Sequence, residues 1–148
     1  APISQGLKYK QMHAMHELMF SSKIAKGVGG LIFNAKLWNR PLAEEVLLKT
    51  EFISKHSVVG CESCGQCRLG ETLYICPETC PKGLANGPCG GTHLDRCEFG
   101  DRECIHSVKA RLAKAVHQTD ILKMELIPSV AIETRNTSSW KNWFKTQA

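Results

Sequence analysis

The sequence predicts a mostly α-helical protein whose helices flank a long irregular region, rich in Cys, Gly and Pro, that binds metal. All eight cysteines lie between Cys61 and Cys104, together with three of the six prolines. Apolar residues recur at helical spacing on both sides of this stretch. We divide the chain into a helical N-terminal arm (1–59), a cysteine-rich module with a closing helix (60–116) and a C-terminal arm with an aromatic tail (117–148).

Length and composition restrict the class of protein. At 148 residues with 43% hydrophobic residues, the chain fits one domain with a modest core, or a small domain with extended arms. No apolar run approaches the roughly 18 residues of a membrane-spanning helix, so we expect no membrane insertion. The N-terminus lacks the pattern of a secretory signal, so we expect a cytoplasmic protein with reduced thiols. The net charge of +5 is spread along the chain, which argues against a nucleic-acid partner.

The N-terminal arm is predicted to begin with a helix over residues 7–20. Its apolar, sulfur-rich face comprises Met12, Met15, Leu18 and Met19. His13 and His16 are neighbours on this helix, where they are either ordinary amphipathic positions or contacts for a metal, a cofactor or a partner. The segment from Lys26 to Gly30 is predicted to be a hinge or a close-packing turn, because a phosphate-binding loop needs a strand before it.

The second helix of this arm is predicted from Pro41 to His56. Proline is tolerated in the first turn of a helix, and Glu44 and Glu45 lie near the positive end of the helix dipole. The residues expected on its buried face are Leu42, Val46, Leu47, Phe52 and Ile53. This helix leads directly into the first cysteine, so a packed element is expected to position the cysteine-rich module.

The cysteine-rich module is predicted to be irregular up to a closing helix from Cys104 to Val116, with Asp101 as its N-cap. Glycine and proline supply the backbone angles of tight turns, and a loop of this length needs internal bonds to hold it. The residues expected on the buried face of the closing helix are Ile105, Val108, Leu112 and Val116.

The C-terminal arm is predicted to continue as a helix over residues 119–126, ahead of Pro128. Three large aromatic side chains follow on a polar, basic tail, namely Trp140, Trp143 and Phe144. Such side chains are rarely left in water. They either pack back on the chain or contact a partner subunit, where Trp is enriched.

The spacing of the cysteines favours an inorganic cluster. Cys61-x2-Cys64-x2-Cys67 places three thiolates on one side of a tight loop, as at the start of bacterial ferredoxin motifs. Zinc is the alternative, because Cys61-x2-Cys64 with Cys76-x3-Cys80 has acceptable spacing for a site of four thiolates. Disulfides are a further alternative that suits a reducing compartment poorly. The candidate ligands are Cys61, Cys64, Cys67, Cys76, Cys80, Cys89, Cys97 and Cys104.

Several motifs in this stretch resemble one known family. They are Cys61-x2-Cys64-Gly65-Gln66-Cys67, Tyr74-x-Cys76-Pro77, Cys80-Pro81-Lys82, Asn86-Gly87-Pro88-Cys89-Gly90-Gly91 and Cys97-Glu98. Over residues 60–115 they resemble the C-terminal domain family of methylenetetrahydrofolate reductase, in particular the separate small iron–sulfur subunit of the two-subunit reductases of acetogens. His106 departs from the family, in which an aromatic residue commonly stands two positions after the last cysteine.

The resemblance implies an accessory iron–sulfur subunit in one-carbon metabolism. It implies one or two [4Fe-4S] clusters, or zinc as the alternative, on the eight cysteines. It also implies a hetero-oligomer with a flavin- or folate-binding barrel protein, which carries the flavin and exchanges electrons with this chain. Because the chain has no barrel of its own, we expect it not to be catalytic alone. The alternative function is a non-redox, metal-stabilised assembly module for a folate-dependent methyltransferase, demethylase or reductase.

Other residues are candidates for supporting roles. Groups close to a cluster tune its potential through hydrogen bonds and burial. The candidates for this role are Tyr74, Lys82, Asn86, Gly87, Gly90 and Gly91, with ordinary turn chemistry as the alternative. The candidate partner contacts are Trp140, Trp143 and Phe144.

Overall fold

The structure is a computed structural model that describes residues 2–87, 89–123 and 126–146. Helices dominate these residues, which form two isolated β-bridges and no strand, so the mostly α prediction is confirmed. The α-helices are α1 (Pro2–His16), α2 (Lys23–Phe33), α3 (Pro41–Val59), α4 (Ile105–Ala115) and α5 (Ser139–Thr146). A π-helical turn, Glu17–Ser21, follows α1, and short 3-10 turns occupy parts of the remainder. No helix in the described part of the chain is long and apolar enough to cross a membrane.

The chain forms two compact units, each built from two separate stretches of sequence. Residues 1–12 and 68–129 make one unit, which we call the loop unit, and residues 13–67 and 130–148 make the other, which we call the helical unit. The predicted regions 1–59, 60–116 and 117–148 follow chain order, whereas each unit combines an earlier and a later stretch. The division falls between Cys67 and Arg68, inside the cysteine-rich stretch.

In the helical unit, the glycine-rich segment is helical. The Ser22 hydroxyl caps α2 by accepting a hydrogen bond from the Ala25 N–H at 3.1 Å. The prediction of a hinge or turn at residues 26–30 is therefore wrong, because this cap and the packing of α2 outweigh the low helix propensity of glycine. The expectation of close packing holds at Gly29, where a Cβ atom would overlap the Phe144 ring.

Stacked aromatic rings form the apolar part of the helical unit. The Phe144 ring lies parallel to the Phe33 ring, with centroids 5.2 Å apart, and stacks on Phe20 at 5.8 Å. Phe33 also stacks on Trp38, at 5.6 Å. Only 6% of Phe144 is exposed. Of the two alternatives for the aromatic tail, Phe144 therefore packs back on its own chain.

Helix α3 begins at Pro41 as predicted and extends to Val59, three residues beyond the predicted end. Gly60 ends it in a left-handed conformation that glycine adopts readily, with its N–H bonded to the His56 carbonyl at 3.0 Å. The predicted buried face is wrong for all but Leu47. The exposed fractions are 73% for Leu42, 57% for Val46, 38% for Phe52 and 68% for Ile53.

The inward face of α3 is polar because it binds the first turn of α5. Glu51 is 3% exposed, and its carboxylate accepts hydrogen bonds from the hydroxyls of Ser138, at 2.7 Å, and Ser139. Lys55 Nζ pairs with the same carboxylate at 2.6 Å. A carboxylate at a helix N-terminus satisfies free N–H groups and is favoured by the helix dipole. Hydrogen bonding, rather than an apolar stripe, therefore joins α3 to α5.

The loop unit has a small core beside α4. Tyr9 of α1 packs on Tyr74 with ring centroids 5.6 Å apart, and its hydroxyl donates to Gln118 Oε1 at 2.7 Å. The buried apolar residues of this unit are Tyr9, Leu69, Leu73, Tyr74, Cys76, Leu112, Ala113 and Ile127. Helix α4 lies where it was predicted, and of its expected face only Leu112 is fully buried.

Two further predictions about the loop unit need correction. Asp101 does not cap α4, because the N-cap residue is Cys104 and the Asp101 carboxylate bonds the neighbouring Arg102 guanidinium. The helix expected over residues 119–126 is a 3-10 turn, Thr119–Lys123. Residues 124 and 125 lie outside the described part of the chain.

Candidate metal centre

All eight cysteines are described, and none of them forms a disulfide bond in the described part of the chain. Cys61, Cys64 and Cys67 belong to the helical unit. The other five belong to the loop unit and are Cys76, Cys80, Cys89, Cys97 and Cys104. The eight cysteines differ in exposure. Cys64 and Cys76 are buried, Cys67 is exposed, and the other five are half-buried.

The C-x2-C-x2-C loop starts directly after α3 and is fixed by the C-terminal arm. The Asn136 N–H donates to the Ser63 carbonyl at 2.8 Å, and the Thr134 hydroxyl donates to the Cys64 carbonyl at 2.9 Å. The side-chain amide of Asn142 donates to the Gly65 carbonyl at 2.9 Å. Gly65 has a φ of 77°, and a Cβ there would overlap the Thr134 carbonyl. This position therefore requires glycine on two grounds.

The three thiols of this loop interact electrostatically. Burial has the largest effect on the pKa of the Cys61 thiol and raises it. The Ser63 N–H and Lys55 act in the opposite direction, and nearby Cys64 and Cys67 add the smallest increases. The Cys64 thiol donates to the Gln66 carbonyl at 3.3 Å. Protein atoms alone thus favour the neutral thiol at Cys61, whereas a metal cation would favour the thiolate.

A strained turn leads to Cys76 in the loop unit. Thr72 is only 1% exposed, and its hydroxyl donates to the Arg68 carbonyl at 3.1 Å. Leu73 and Tyr74 then adopt left-handed φ values of 54° and 61°. Such a conformation costs a non-glycine residue about 1–2 kcal/mol, and strain of this kind is common near functional sites. Sequence reasoning missed this turn, since neither Leu nor Tyr signals a left-handed conformation.

Arg68 ties this turn to the rest of the loop unit. Its guanidinium donates to the Pro128 carbonyl and to the Glu78 carboxylate, both at 2.5 Å. Glu78 lies between Cys76 and Cys80, in the 3-10 turn Pro77–Thr79. The ion pair therefore fixes the segment that separates these two cysteines.

A lysine and a glutamate lie beside Cys89. Lys82 Nζ is 3.7 Å from Cys89 Sγ and forms an ion pair with Glu98. This hydrogen-bonded pair raises the pKa of Lys82 and keeps the amine protonated. A Cβ at Gly91 would overlap the Glu98 carboxylate, so Gly91 makes room for this pair.

Cys97 and Cys104 lie on one closed loop. His93 and Arg96 bond each other's backbone around Leu94 and Asp95, whose φ values of 46° and 62° match a type I′ turn. Backbone bonds from the Cys97 N–H to the Arg102 carbonyl, at 3.0 Å, and from the Cys104 N–H to the Asp95 carbonyl, at 2.7 Å, close the loop.

The Cys104 thiol lies at the start of α4. Burial raises its pKa, but hydrogen bonds from Thr92 and from the backbone N–H groups of His106 and Ser107 outweigh that effect, so its pKa is lowered. The Thr92 hydroxyl is 3.3 Å from Cys104 Sγ. A helix N-terminus stabilises a thiolate in the same way that it stabilises other anions.

Several candidate supporting residues make contacts within the loop unit. The Asn86 amide both donates to the Ile127 carbonyl and accepts from the Ile127 N–H, each at 2.8 Å. A Cβ at Gly87 would lie 3.8 Å from the His106 ring, whereas one at Gly90 would meet nothing within 4 Å. Tyr74 packs on Tyr9. The roles of these residues near a metal stay predictions, and Pro88 lies outside the described residues.

The chemistry of the donors fits a thiophilic metal. Among the described residues, no group of three or more His, Cys, Asp or Glu side chains is already arranged around a metal position. Cys61, Cys64 and Cys67 nevertheless lie on one short loop, and Cys64 and Cys67 contribute to the raised pKa of Cys61. In the same unit the buried indole N–H groups of Trp140 and Trp143 have no hydrogen-bond partner among the described atoms.

One comparison with known proteins gave a match. A family model described as methylene-tetrahydrofolate reductase C terminal matches residues 41–133. This range includes all eight cysteines, α3 and α4. Searches of curated proteins and of solved structures gave no significant match.

Proposed function

The chain belongs to the methylene-tetrahydrofolate reductase C-terminal family, and we propose that it is the accessory iron–sulfur subunit of a reductase of this type. The main observation behind the proposal is that eight cysteines, none of them in a disulfide bond among the described residues, lie within the range of the family match. Thiolates are the ligands of iron–sulfur clusters, and eight of them suffice for two four-iron clusters. The partner in this proposal is a flavin-containing barrel subunit.

The two units contribute different ligands in this proposal. Cys61, Cys64 and Cys67 hold metal from the loop after α3, and the five cysteines of the loop unit supply the other ligands. A bound [4Fe-4S] cluster would supply one-electron exchange with the flavin of the partner.

Residues around the thiols stabilise their charged form. The Thr92 hydroxyl and the N–H groups at the start of α4 donate to Cys104, and the Lys82 amine lies beside Cys89. The Ser63 N–H lowers the pKa of Cys61, although the larger effect of burial raises it. Hydrogen bonds of this kind orient ligands and raise the reduction potential of a metal site by stabilising negative charge.

Metal analysis of the anaerobically purified chain tests the proposal. We expect about eight iron and eight sulfide per chain, with a visible absorption that dithionite bleaches. About four of each with one zinc would divide the cysteines between a redox and a structural site. Zinc alone would overturn the electron-transfer function and favour the alternative of a metal-stabilised assembly module.

A pair of variants links the metal to the cysteines. Cys64→Ser removes a buried ligand from the C-x2-C-x2-C loop, and we expect it to lose about half of the iron of a two-cluster protein. Ser63→Ala changes the neighbouring side chain without removing a thiol and is expected to keep the full iron content. Equal iron in both variants would exclude Cys64 as a ligand.

A further inference from the structure

Arg68 carries a buried hydrogen-bond donor that the packing of the loop unit does not use. Its residue is 8% exposed, whereas every other arginine that the structure describes is exposed. Nη1 donates to the Pro128 carbonyl and Nη2 donates to the Glu78 carboxylate, each at 2.5 Å. Nε is buried as well and has no hydrogen-bond partner among the described atoms. Buried polar groups are usually hydrogen-bonded, because an unmet donor in the interior is costly.

The direction of this donor is fixed by the bonds at the other two nitrogens. A guanidinium is planar and rigid, so the bonds at Nη1 and Nη2 determine where the Nε–H lies. Nε and Nη2 form one edge of the group, and Nη2 bonds Glu78 in the 3-10 turn Pro77–Thr79. The Nε–H of Arg68 therefore lies beside the bond that joins Arg68 to this turn.

The same turn is flanked by two candidate metal ligands. Cys76 is the residue before it and is buried, and Cys80 is the residue after it and is half-buried. The Thr72 hydroxyl donates to the Arg68 carbonyl at 3.1 Å, which folds the chain between Arg68 and Cys76 into a tight turn. Arg68 is thus tied to the Cys76 segment twice, through this turn and through the ion pair with Glu78.

A sulfur atom is the acceptor that suits this donor. The side chains of Arg68 and Glu78 are 7% and 15% exposed, and their ion pair balances the charge of the guanidinium. The contribution of Arg68 to a nearby metal site is then mainly a hydrogen bond. Hydrogen bonds to the sulfur atoms of an iron–sulfur cluster favour its reduced state, because that state carries one more negative charge.

We propose that the Nε–H of Arg68 donates a hydrogen bond to a sulfur atom of the cluster that Cys76 helps to hold, and that this bond raises the reduction potential of the cluster. This inference rests on the proposed function and adds a residue that tunes it. Iron and sulfide content tests the proposed function. The measurements below test the role of Arg68 in a chain that contains iron.

A pair of identical substitutions tests the effect on the potential. Arg68→Lys keeps a positive charge for Glu78 and removes the Nε–H. In a redox titration of the anaerobically purified full-length chain, we expect the equilibrium constant for one-electron reduction to fall about 10-fold, which is a potential about 59 mV more negative. Arg102→Lys is the matched control, because Arg102 is an exposed residue of the same unit whose Nε already donates to Asp101 at 2.9 Å. It should change the constant less than about 2-fold.

A spectroscopic measurement detects the hydrogen bond itself and needs no variant to succeed. The chain is produced with arginine that carries nitrogen-15 at Nε, and its cluster is reduced with dithionite. Pulsed EPR then measures the coupling between the electron spin of the cluster and nearby nitrogen nuclei. We expect a coupled arginine nitrogen in the wild-type chain and in Arg102→Lys, and none in Arg68→Lys.

Several results would overturn the inference. An iron-containing wild-type chain without a coupled arginine nitrogen would assign the Nε–H to another acceptor, such as a buried water. A coupling that persists in Arg68→Lys would assign the bond to a different arginine. Equal potentials in wild type and Arg68→Lys would contradict the effect on reduction. If Arg68→Lys loses its iron, the labelled wild-type chain still decides whether an arginine bonds the cluster. Zinc alone would overturn the proposed function and this inference together, so metal content separates the two failures.

Discussion

The two units of this chain are stabilised in different ways. In the helical unit, side chains make long-range contacts through the stacked rings around Phe144 and through the hydrogen bonds to the buried Glu51 carboxylate. In the loop unit, backbone hydrogen bonds hold much of the cysteine-bearing chain, as in the closed loop that carries Cys97 and Cys104. Its left-handed residues, such as Leu73 and Leu94, cost energy that local packing must offset.

This difference indicates which unit would gain more stability from the metal that we propose. A unit whose aromatic rings pack together and whose buried carboxylate is fully hydrogen-bonded is stabilised by its own side chains. A long loop with strained turns gains most from bonds that cross it, and thiolate–metal bonds are such bonds. We therefore expect the loop unit to depend on metal more strongly than the centre of the helical unit does.

The largest effect is expected from metal removal. Anaerobic chelation of the purified chain should increase amide hydrogen exchange by at least about 100-fold across residues 76–104, since structural metal sites contribute roughly 10 kcal/mol in small domains. Amides in α5 and the middle of α3 should change less than about 3-fold. Mass spectrometry of deuterium uptake measures both regions in one sample. Equal loss of protection in both units would contradict the comparison.

The second largest effect is expected at Glu51. Glu51→Ala leaves Lys55 and the hydroxyls of Ser138 and Ser139 without their acceptor, so we expect a loss of about 3–5 kcal/mol in the free energy of unfolding. The control is Glu45→Ala, which removes an exposed carboxylate paired with Lys49. It should change the free energy of unfolding far less, because an exposed ion pair is screened by solvent and contributes little. Urea denaturation measures both, and similar losses would show that the buried network contributes little.

Sequence periodicity predicted the helices better than it predicted their buried faces. Pro41 marks the start of α3 because proline suits the first turn of a helix, and the structure confirms it. The buried face of α3 was wrong because periodicity assigns apolar residues to the interior. In the structure, Glu51 and Lys55 face α5 while Leu42 and Ile53 are exposed. A contact between polar groups far apart in sequence leaves no periodic signal.

The thiols of the candidate site were predictable, but the backbone that positions them was not. The eight cysteines of one stretch could be recognised as candidate metal ligands from their residue type and spacing alone. The turn through Leu73 and Tyr74 had no signal, because its conformation depends on tertiary contacts such as that between Tyr74 and Tyr9. Helix formation at Gly27 and Gly29 was missed for a similar reason, since glycine weakens a helix only on average.

A smaller effect is expected at Asn86, where one side chain joins two stretches of the loop unit. Asn86→Ala removes both hydrogen bonds to Ile127 and should cost about 1–2 kcal/mol in the free energy of unfolding. Asn86→Asp keeps the acceptor for the Ile127 N–H but places a second carboxylate oxygen against the Ile127 carbonyl, so it should cost at least as much. Reduction potentials of the two variants sharpen the assignment. Potentials equal to wild type would show that Asn86 only links two segments of the loop unit. A shift of tens of mV, as expected for one changed hydrogen bond, would favour a role beside a cluster.

The smallest effect is expected from acidification of the helical unit. Burial lowers the pKa of His16 from 6.5, with His13 and Lys55 acting in the same direction and Glu17 opposing them. The unfolded chain therefore takes up a proton at a higher pH than the folded chain. The contribution of neutral His16 to stability is complete above pH 6.5 and is lost as the pH falls through the lowered pKa of His16 in the folded chain.

His16→Gln should flatten the dependence of unfolding free energy on pH between about pH 7 and pH 5. Its absolute stability also falls, because His16 packs on Phe20 at 5.2 Å, so the slopes are the quantities to compare. His13→Gln, at an exposed position of the same helix, is expected to keep most of the slope. If both variants retain the wild-type slope, another group is responsible for the pH dependence.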